Sequence, residues 1–450
     1  MSADGISRRQ FLKKGALAGA GSLGLPYLVA SSALGKSGNV APSNRITFAS
    51  IGVGGMGTNN MRAFLSYGDV QVVAVCDVEK ASNEYGHWYK KGWNGAWFGR
   101  EPARKIVDDH YSQKGCDAYV DFREIIDRDD IDAVCVTTPD HWHAIPVIMA
   151  AKRGKHIYCE KPLSLTVAQG RAMVEAVERY GVIFQTGTHR RSDGRYRFVC
   201  ELVRNGRIGR LKRIITSIGP NNKEAPAKDW KPMPVPDGLD YNMWLGPAPW
   251  APYHKDRCLY TFRFGLDYSG GQTTNLGAHF IDVAQWANDT DRTGPVEFED
   301  LGAEYPADGL FTTATKVHYR ARYANGVELT CETDPDGPMR FEGTEGWIEI
   351  KGSKITSQPE SLGTSVIRPN EIHLYESNDH HRNFVDCIKA NRETAAPVEI
   401  GHRSTSICHL GNIAMTLKRK LYWDPKAERF TNSDQANRML SRAMRSPWHL

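Results

Sequence analysis

The amino-terminal half of the chain alternates short apolar runs with amphipathic segments. The runs at 45–51, 70–76, 131–136 and 156–159 are mostly apolar, as expected for strands that are buried on both faces of a parallel sheet. The segments between them are predicted helices, among them 60–66 and 144–153. Strands and helices that alternate in this way predict a doubly wound α/β domain.

The carboxyl-terminal half has a different pattern. Polar and apolar positions alternate over 211–217, 315–323 and 327–332, which predicts strands of a sheet with one exposed face. Residues 219–252, after the first of these strands, are rich in Pro, Gly, Trp and Asn. We expect a long loop there, and long loops in compact domains are often lids or binding loops.

Composition narrows the classes of function. A chain of 450 residues is long enough for two domains. Its formal net charge of +5 is spread thinly, and no dense Lys/Arg run follows the first fifteen residues, so we expect no nucleic-acid partner. The nine cysteines include no C-x-x-C pair, which argues against a disulfide framework and against a zinc site. We therefore expect no metal.

The first 35 residues differ from the rest of the chain. Ser7-Arg8-Arg9-Gln10-Phe11-Leu12-Lys13-Lys14 precedes a Gly- and Ala-rich stretch that is too weakly apolar to span a membrane. This order predicts a cleavable signal peptide over 1–35. The paired arginines resemble the signal that the twin-arginine translocase recognises. We therefore expect a bacterial protein that is periplasmic or otherwise exported, and that folds around its cofactor before export.

A glycine-rich turn follows the first strand. Gly52-Val53-Gly54-Gly55-Met56-Gly57 has the G-x-G-x-x-G spacing, and the second strand ends in Asp77, about 20 residues later. Gly52 permits the tight turn, Gly54 lets the backbone approach a pyrophosphate, and Gly57 lets helix and strand pack closely. Asp77 would bind the adenosine ribose and repel a 2′-phosphate, so NAD is favoured over NADP. Lys80 lies close enough to weaken that preference.

Two polar clusters follow later strands of the same domain. The first is Thr137-Thr138-Pro139-Asp140-His141-Trp142-His143, and the second is Glu160-Lys161-Pro162. The carboxyl ends of the strands in a doubly wound sheet line the ligand crevice. We therefore expect both clusters to lie in that crevice.

Three motifs together resemble those of the Gfo/Idh/MocA family, named after glucose–fructose oxidoreductase and inositol dehydrogenase. They are the glycine turn, Glu160-Lys161-Pro162 and Gly277-Ala278-His279-Phe280-Ile281-Asp282, and the resemblance runs from residue 45 to residue 450. It implies an α/β fold with an N-terminal Rossmann domain, which we place at 44–185. It also implies a C-terminal α/β domain at 186–450 with a large open, mostly antiparallel sheet, and assembly into homodimers or homotetramers.

The resemblance also implies where the cofactor and the substrate lie. The loop after the fourth strand contacts the nicotinamide, and the lysine of Glu-Lys-Pro contacts the substrate hydroxyl. Beyond the glycine turn and Asp77, the expected cofactor contacts are therefore Thr138, Pro139, Trp142, His143, Glu160 and Lys161.

Hydride transfer from a carbinol requires a base for the hydroxyl proton and a donor for the developing oxyanion. Lys161 suits the second role and could also relay the proton. His279 suits the first, because it begins an apolar helix whose dipole keeps it neutral. Relatives that resemble inositol dehydrogenase have an Asp four residues before this His, where this chain has Asn275. We therefore expect no carboxylate–histidine dyad at His279.

Further polar residues are candidates for binding the substrate. They follow a predicted strand, precede a glycine turn or lie near His279, and their side chains are usual partners of vicinal hydroxyls. These residues are Arg190, Arg191, Arg263, Asn275 and Asp282. Asp282 could instead orient His279 from the next helical turn.

The sequence leaves three functions open. The first is an exported NAD-dependent oxidoreductase that acts on a CH–OH group of a sugar, polyol or glycoside. The second is a glycosidase that oxidises its substrate transiently and cleaves it by elimination, although exported glycosidases of this family depart from the Glu-Lys-Pro that this chain keeps. The third is a non-catalytic sugar-binding protein, which Asn275 favours and which Lys161 and His279 oppose.

Overall fold

The computed structural model describes residue 41 and residues 44–84, 95–220 and 229–450. The predicted signal peptide at 1–35 lies outside the described residues. Within these ranges, no helix has the length and apolar character needed to cross a membrane.

The first sheet and its helices follow the predicted alternation. In chain order the elements are β1 (Ile46–Ile51), α1 (Gly55–Leu65), β2 (Val70–Cys76), α2 (Arg100–Tyr111), β3 (Asp117–Tyr119), α3 (Phe122–Ile126), β4 (Ala133–Val136), α4 (Ala144–Lys152), β5 (His156–Cys159), α5 (Val167–Tyr180) and β6 (Phe184–Thr186). The six strands are parallel, in the order β3-β2-β1-β4-β5-β6. The order reverses between β1 and β4, and such a switch point is where doubly wound sheets bind their ligands.

Apolar side chains cover both faces of this sheet. One cluster includes Ile51 and Ile145. The other includes Phe48, Phe64 and Phe384, of which the last comes from a helix of the C-terminal half. Burial on both faces explains why these strands have continuous apolar runs.

The second sheet has nine strands. The elements of the C-terminal half are α6 (Gly194–Arg204), β7 (Leu211–Ile218), α7 (Tyr241–Leu245), α8 (Lys255–Cys258), α9 (Gln272–Asn275), α10 (Gly277–Ala287), β8 (Glu297–Asp300), β9 (His318–Arg322), β10 (Glu328–Thr333), β11 (Met339–Gly343), β12 (Trp347–Lys351), β13 (Lys354–Gln358), α11 (His380–Ala390), α12 (Val398–Leu417), β14 (Leu421–Asp424), β15 (Arg429–Phe430) and α13 (Asp434–Arg438). The strand order is β13-β12-β11-β7-β10-β9-β8-β14-β15. Only β7 and β10 pair in parallel; the other pairs described are antiparallel.

The two faces of the second sheet differ, as its alternating pattern predicts. Ile214, Leu329 and Phe341 are fully buried in a cluster that also contains side chains of α10 and α12. Other residues of the same strands form ion pairs, such as Arg340 with Glu349 at 3.0 Å. The mostly antiparallel sheet of the C-terminal domain is therefore confirmed.

One helix begins earlier than predicted. The sequence favours a helix from Asn60, whereas α1 begins at Gly55, so the glycine turn itself forms the first helical turn. Glycine is a weak helix former, but a Cβ on Gly57 would lie 1.8 Å from the Gly52 oxygen. Close packing against β1 therefore overrides helix propensity at this end.

Candidate active site

The glycine turn lies against the neighbouring strand without room for side chains. Gly52 has a φ of +83°, and a Cβ there would lie 2.7 Å from the backbone of Thr137. Helix α1 begins at Gly55 without a side-chain cap, since its N-cap residue is Gly54. The amino end of a helix that begins in this way is a favourable place for an anionic ligand such as a pyrophosphate.

Asp77 follows β2 directly. Its Oδ2 accepts a hydrogen bond of 2.8 Å from the Val53 N–H, and its Oδ1 accepts one of 2.9 Å from the Glu79 N–H. Burial raises the pKa of Asp77, and these two backbone hydrogen bonds oppose the rise. Each carboxylate oxygen keeps lone-pair capacity for a ribose hydroxyl. Lys80 is exposed and is absent from the described lining of the cavity.

A cavity of about 450 Å³ joins the two domains at the carboxyl ends of the first sheet's strands. This volume is usual for a ligand pocket. The predicted cofactor residues that line it are Gly52, Gly54, Gly55, Met56, Gly57, Asp77, Thr138, Pro139, Trp142, Glu160 and Lys161. Arg263, Asn275 and His279 line the same cavity from the C-terminal domain. The structure thus brings together both predicted catalytic residues and all the predicted cofactor residues except His143.

Lys161 reaches the cavity from the segment after β5. Its Nζ donates to the Asn275 backbone oxygen at 3.1 Å and to the Asn275 side-chain oxygen at 3.2 Å. Burial lowers the pKa of Lys161, the Glu160 carboxylate opposes this, and the charge of Arg263 adds to the lowering. The amine therefore loses its proton more easily than an ordinary lysine, which suits either donation to an oxyanion or proton relay.

His279 lies in the first turn of α10, and its Nδ1 is buried without a hydrogen-bond partner in the described structure. Burial lowers the pKa of His279 well below its ordinary value, and the charges of Lys161 and Arg190 lower it further. The imidazole is therefore neutral, and burial is the main cause. The Asn275 side chain is bonded elsewhere, because its Oδ1 accepts from Lys161 and its Nδ2 donates to Gln272 at 2.8 Å.

Two predicted substrate-binding residues lie away from the cavity. Arg191 and Asp282 are buried and form an ion pair with 2.8 Å between Nε and Oδ2. Arg191 also pairs with Asp291 at 2.7 Å, and Asp282 accepts a hydrogen bond of 2.9 Å from Ser404. Buried charges need such partners to offset their desolvation. The geometry therefore favours a structural role for both residues, and Asp282 does not orient His279.

His143 is also engaged internally. Its Nδ1 lies 2.8 Å from the Pro162 carbonyl oxygen and its Nε2 lies 2.8 Å from the Thr138 carbonyl oxygen. The ring is buried and is absent from the described lining of the cavity. It therefore ties the loop after β4 to the segment that carries Lys161, and its predicted contact with the cofactor stays a prediction.

The two remaining predicted arginines differ in position. Arg263 lines the cavity and stacks on the Tyr260 ring at 3.8 Å. The Arg190 guanidinium stacks between Phe280 at 3.6 Å and Tyr196 at 4.8 Å, outside the described lining. Arg263 is therefore the better placed of the two to meet a substrate.

The donor set of the cavity fits a dinucleotide. The glycine turn supplies backbone N–H groups, Asp77 supplies a carboxylate, and the buried Thr138 hydroxyl has no hydrogen-bond partner among the described residues.

No group of three or more His, Cys, Asp or Glu in the described ranges is placed to hold a metal ion. All nine cysteines fall in these ranges, and each is buried and unpaired.

Comparison with known families agrees with this geometry. Residues 46–188 match the Gfo/Idh/MocA family model described as "Oxidoreductase family, NAD-binding Rossmann fold". Residues 202–450 match the one described as "Oxidoreductase family, C-terminal alpha/beta domain". The chain belongs to the Gfo/Idh/MocA oxidoreductase family. Its N-terminal domain is thus an NAD-binding Rossmann domain.

Relatives within this family include enzymes of different names. A myo-inositol 2-dehydrogenase of Thermotoga maritima is 37% identical over 124 residues, which are 28% of this chain and 33% of that enzyme. A glycosyl hydrolase family 109 protein of Solibacter usitatus is 28% identical over 212 residues, which are 46% of this chain and 44% of that protein. The chain therefore matches about a third of the first relative and less than half of the second.

The fold is shared with solved structures. The WlbA dehydrogenase of Bordetella pertussis, in complex with NADH and UDP-GlcNAcA, has a TM-score of 0.59 at 16% identity, covering 84% of this chain and 99% of that one. At this identity the likeness establishes the fold alone.

Sequence reasoning does not single out His189, which lines the cavity from the short helix His189–Ser192. Its Nε2 lies 3.3 Å from Glu160 Oε1 and 3.0 Å from the Tyr158 hydroxyl. In the sequence it stands beside two arginines, whose capacity for hydrogen bonds is more obvious. The signal that points to it is its place after β6, at the carboxyl end of a strand of the Rossmann sheet.

Trp448 also escapes sequence reasoning. Its ring centroid lies 4.7 Å from that of Trp142, edge-on, and 6.4 Å from that of Phe122, and both of these rings line the cavity. Arg445 holds the segment by donating to the backbone oxygens of Gly246 at 2.9 Å and Asn242 at 2.8 Å. The chain near residue 448 therefore backs one wall of the cofactor cleft.

Proposed function

We propose that this chain is an NAD-dependent oxidoreductase that acts on a CH–OH group of a sugar, polyol or glycoside by hydride transfer. The observation that carries the proposal is that the glycine turn, Asp77, Lys161 and His279 line one cavity. NAD bound there would supply a nicotinamide carbon that accepts or returns a hydride. A relative named myo-inositol 2-dehydrogenase supports a substrate of the sugar or polyol class.

Lys161 and His279 would hold the reacting hydroxyl. The Lys161 amine can donate to the oxygen as negative charge develops on it, which is where a preorganised donor lowers the barrier most. The neutral His279 ring has an unpartnered nitrogen and can hydrogen-bond the same hydroxyl. Because the two side chains come from different domains, the substrate would bind where the domains meet.

The rest of the lining suits a sugar. Trp244, Tyr260 and Phe262 present aromatic surface to the cavity, and such surface packs well against the apolar face of a sugar ring. Arg263 and Asn275 add hydrogen-bonding groups for hydroxyls. This mixture of apolar walls and few polar groups is usual for a small-molecule site.

We propose further that the enzyme is exported, by the twin-arginine translocase, and keeps its NAD bound. The Arg8-Arg9 pair and the mild apolar stretch after it support export of a folded protein. Outside the cytoplasm no free NAD pool renews the cofactor. A second substrate, or a redox-neutral reaction, would then return the cofactor to its starting state.

We also propose that the chain forms a homodimer or homotetramer. The exposed face of the second sheet carries ion pairs such as Arg340–Glu349 and is the surface that we expect to meet a second copy. Light scattering of the purified protein tests this assembly, and a monomeric mass would contradict it.

The proposed activity is tested on the purified protein without added cofactor. We expect bound NAD to be released on denaturation, and at least one of myo-inositol, levoglucosan, D-glucose and methyl β-D-glucoside to reduce it in the native protein. Lys161→Met should lower the rate by about 10²–10⁴, the usual worth of a positioned acid–base group. Lys152→Met, which alters an exposed lysine at the end of α4, is the matched control. A protein that carries no nucleotide and binds none when it is added would contradict the proposal.

A glycosidase with transient oxidation is the second candidate. The match to a glycosyl hydrolase family 109 protein over 46% of the chain favours it. Such an enzyme would release the leaving group of an aryl glycoside with no net NADH and would introduce solvent deuterium at the ring carbon beside the oxidised one. Net NADH without deuterium incorporation would select the dehydrogenase instead.

A further inference from the structure

A carboxylate–histidine pair lies at the cavity, and its histidine is outside the three family motifs. His279 has no carboxylate partner four residues before it, because Asn275 stands there. His189 does have one, since Glu160 Oε1 lies 3.3 Å from its Nε2. The His189 side chain is 31% exposed and lines the cavity, whereas Glu160 is 5% exposed. A buried acid that orients a histidine with one accessible edge is the arrangement by which enzymes prepare a base.

The protonation of the pair follows from the chemistry of its partners. Burial opposes ionisation of Glu160, but the hydrogen bond and charge of His189, the charge of Lys161 and the hydrogen bond of Asn60 lower its pKa to about 2. A carboxylate can only accept hydrogen bonds, so Nε2 of His189 carries the proton of their contact. In the neutral ring Nδ1 is then the nitrogen with the free lone pair.

The carboxylate is held in one orientation from several sides. Asn60 Nδ2 donates to Oε1 at 3.0 Å, and the Lys161 backbone N–H donates to Oε2 at 3.1 Å. A Cβ on Gly187 would lie 2.8 Å from the carboxylate carbon, so only glycine leaves room for the acid. The histidine is positioned as well, because the Tyr158 hydroxyl lies 3.0 Å from Nε2 of His189.

Other histidines surround His189 but stay neutral. The ring centroids of His380 and His381, both on α11, lie 4.8 Å and 5.1 Å from that of His189. Burial first, and the charge of His189 second, lower the pKa of His381 to about 4 and that of His380 well below its ordinary value. His279 on α10 is neutral for the same main reason. At neutral pH none of these rings places a positive charge beside His189.

We propose that His189, oriented by Glu160, is the general base that takes the proton of the reacting hydroxyl, while Lys161 and His279 hold its oxygen. The O–H bond breaks, its proton bonds to Nδ1 of His189, and its electron pair becomes the second bond of the carbonyl. The C–H bond breaks with its electron pair, which leaves as hydride to oxidised NAD. The imidazolium afterwards returns the proton to water. The proposal rests on the proposed function and names the base within it.

The first test needs no substrate. Nitrogen-15 spectra of the histidine side chains in the full, NAD-loaded chain report the tautomer of each ring, and His189→Gln assigns the signal. We expect the Nε2–H tautomer for His189. We also expect Glu160→Gln to lower the population of the Nε2–H tautomer, because the carboxylate that accepts from Nε2 is gone. The Nδ1–H tautomer in the unaltered protein would overturn the proposal, even if the Glu160 variant fails to fold.

The second test uses whichever sugar reduces the bound NAD fastest. We expect His189→Gln to slow reduction by about 10²–10⁴, to remove the acidic limb of the pH–rate profile and to leave the Kd for NAD unchanged. His110→Gln, which alters an exposed histidine on α2, should change none of these. An unchanged rate in His189→Gln would overturn the role of base. If no sugar reduces the bound NAD, the oxidoreductase proposal fails by itself, while the tautomer still decides whether the Glu160–His189 pair is arranged as a base.

Discussion

At the scale of single residues, the role of each polar side chain depends on what it contacts. Asp77, Lys161 and His279 line one cavity, and each belongs to a short motif whose conformation is set by the residues next to it in the sequence. Arg191 and Asp282 instead form a buried ion pair with each other. A sequence shows that a charge follows a strand, but it does not show whether that charge meets a ligand or another buried charge. For this reason the glycine turn and Asp77 can be predicted from the sequence as cofactor-binding residues, whereas the substrate contacts cannot be predicted.

Asp77→Asn tests the ribose contact. The amide keeps one oxygen acceptor but loses the charge, so NAD affinity should fall roughly 10- to 100-fold, as for a lost charge-assisted hydrogen bond. The preference for NAD over NADP should narrow, because the repulsion of a 2′-phosphate disappears. Calorimetry with both nucleotides measures this. Asp109→Asn, at an exposed acid on α2, is the control, and affinities equal to those of the unaltered chain would rule out the contact.

Asn275→Asp tests the partner of Lys161. The new carboxylate would stand beside Nζ, where the amide oxygen is now 3.2 Å away. An adjacent negative charge stabilises the ammonium form and so raises the pKa of Lys161, which burial otherwise lowers. The limb of the pH–rate profile that reports Lys161 should therefore move to higher pH, and Asn275→Ala should not reproduce the move. A limb that stays in place in the Asp variant would show that the two side chains do not touch in solution.

At the scale of elements, the apolar pattern predicts strands better than it predicts helix ends. The strands β2 and β5 match their apolar runs residue for residue, because strands that are buried on both faces have few polar positions. Helix α1 begins five residues early, since its packing against β1 requires glycines that propensity disfavours. Helix α10 is difficult to predict for a different reason. His279 lines the cavity, whereas Asp282, one turn later on the same helix, is buried.

Arg191→Met tests the buried ion pair that fixes α10. Removing one partner leaves Asp282 buried without its cation, so the free energy of unfolding should fall by about 3–5 kcal/mol. Denaturant unfolding measures this, and Arg191→Met combined with Asp282→Leu should recover part of the loss. Arg292→Met breaks an exposed pair with Glu393 and should cost less than about 1 kcal/mol. A loss no larger than this control would mean that the pair contributes little.

At the scale of the whole molecule, the proposed location depends on a short segment that precedes the Rossmann domain in the sequence. Arg8→Lys together with Arg9→Lys should leave the precursor in the cytoplasm, because the paired guanidinium groups are what the translocase recognises. Fractionation of cells with an antibody against the mature protein measures this. Normal accumulation of the double variant outside the cytoplasm would remove both the twin-arginine route and the argument for a preloaded cofactor.

The contact of Trp448 with Trp142 and Phe122 sets an order of events during biosynthesis. The ribosome makes the Rossmann sheet first, yet one wall of its cleft is backed by a residue that emerges only after the whole second domain. Stalled nascent chains in which residues 1–188 have left the ribosome, with an unrelated spacer in the exit tunnel, should therefore retain NAD far more weakly than full-length chains carrying the same spacer in a ribosome pull-down. Tight binding of the nucleotide would then follow synthesis of the second domain. If the protein is exported already folded, as we propose, a bound nucleotide would mark the molecules in which this wall of the cleft is complete.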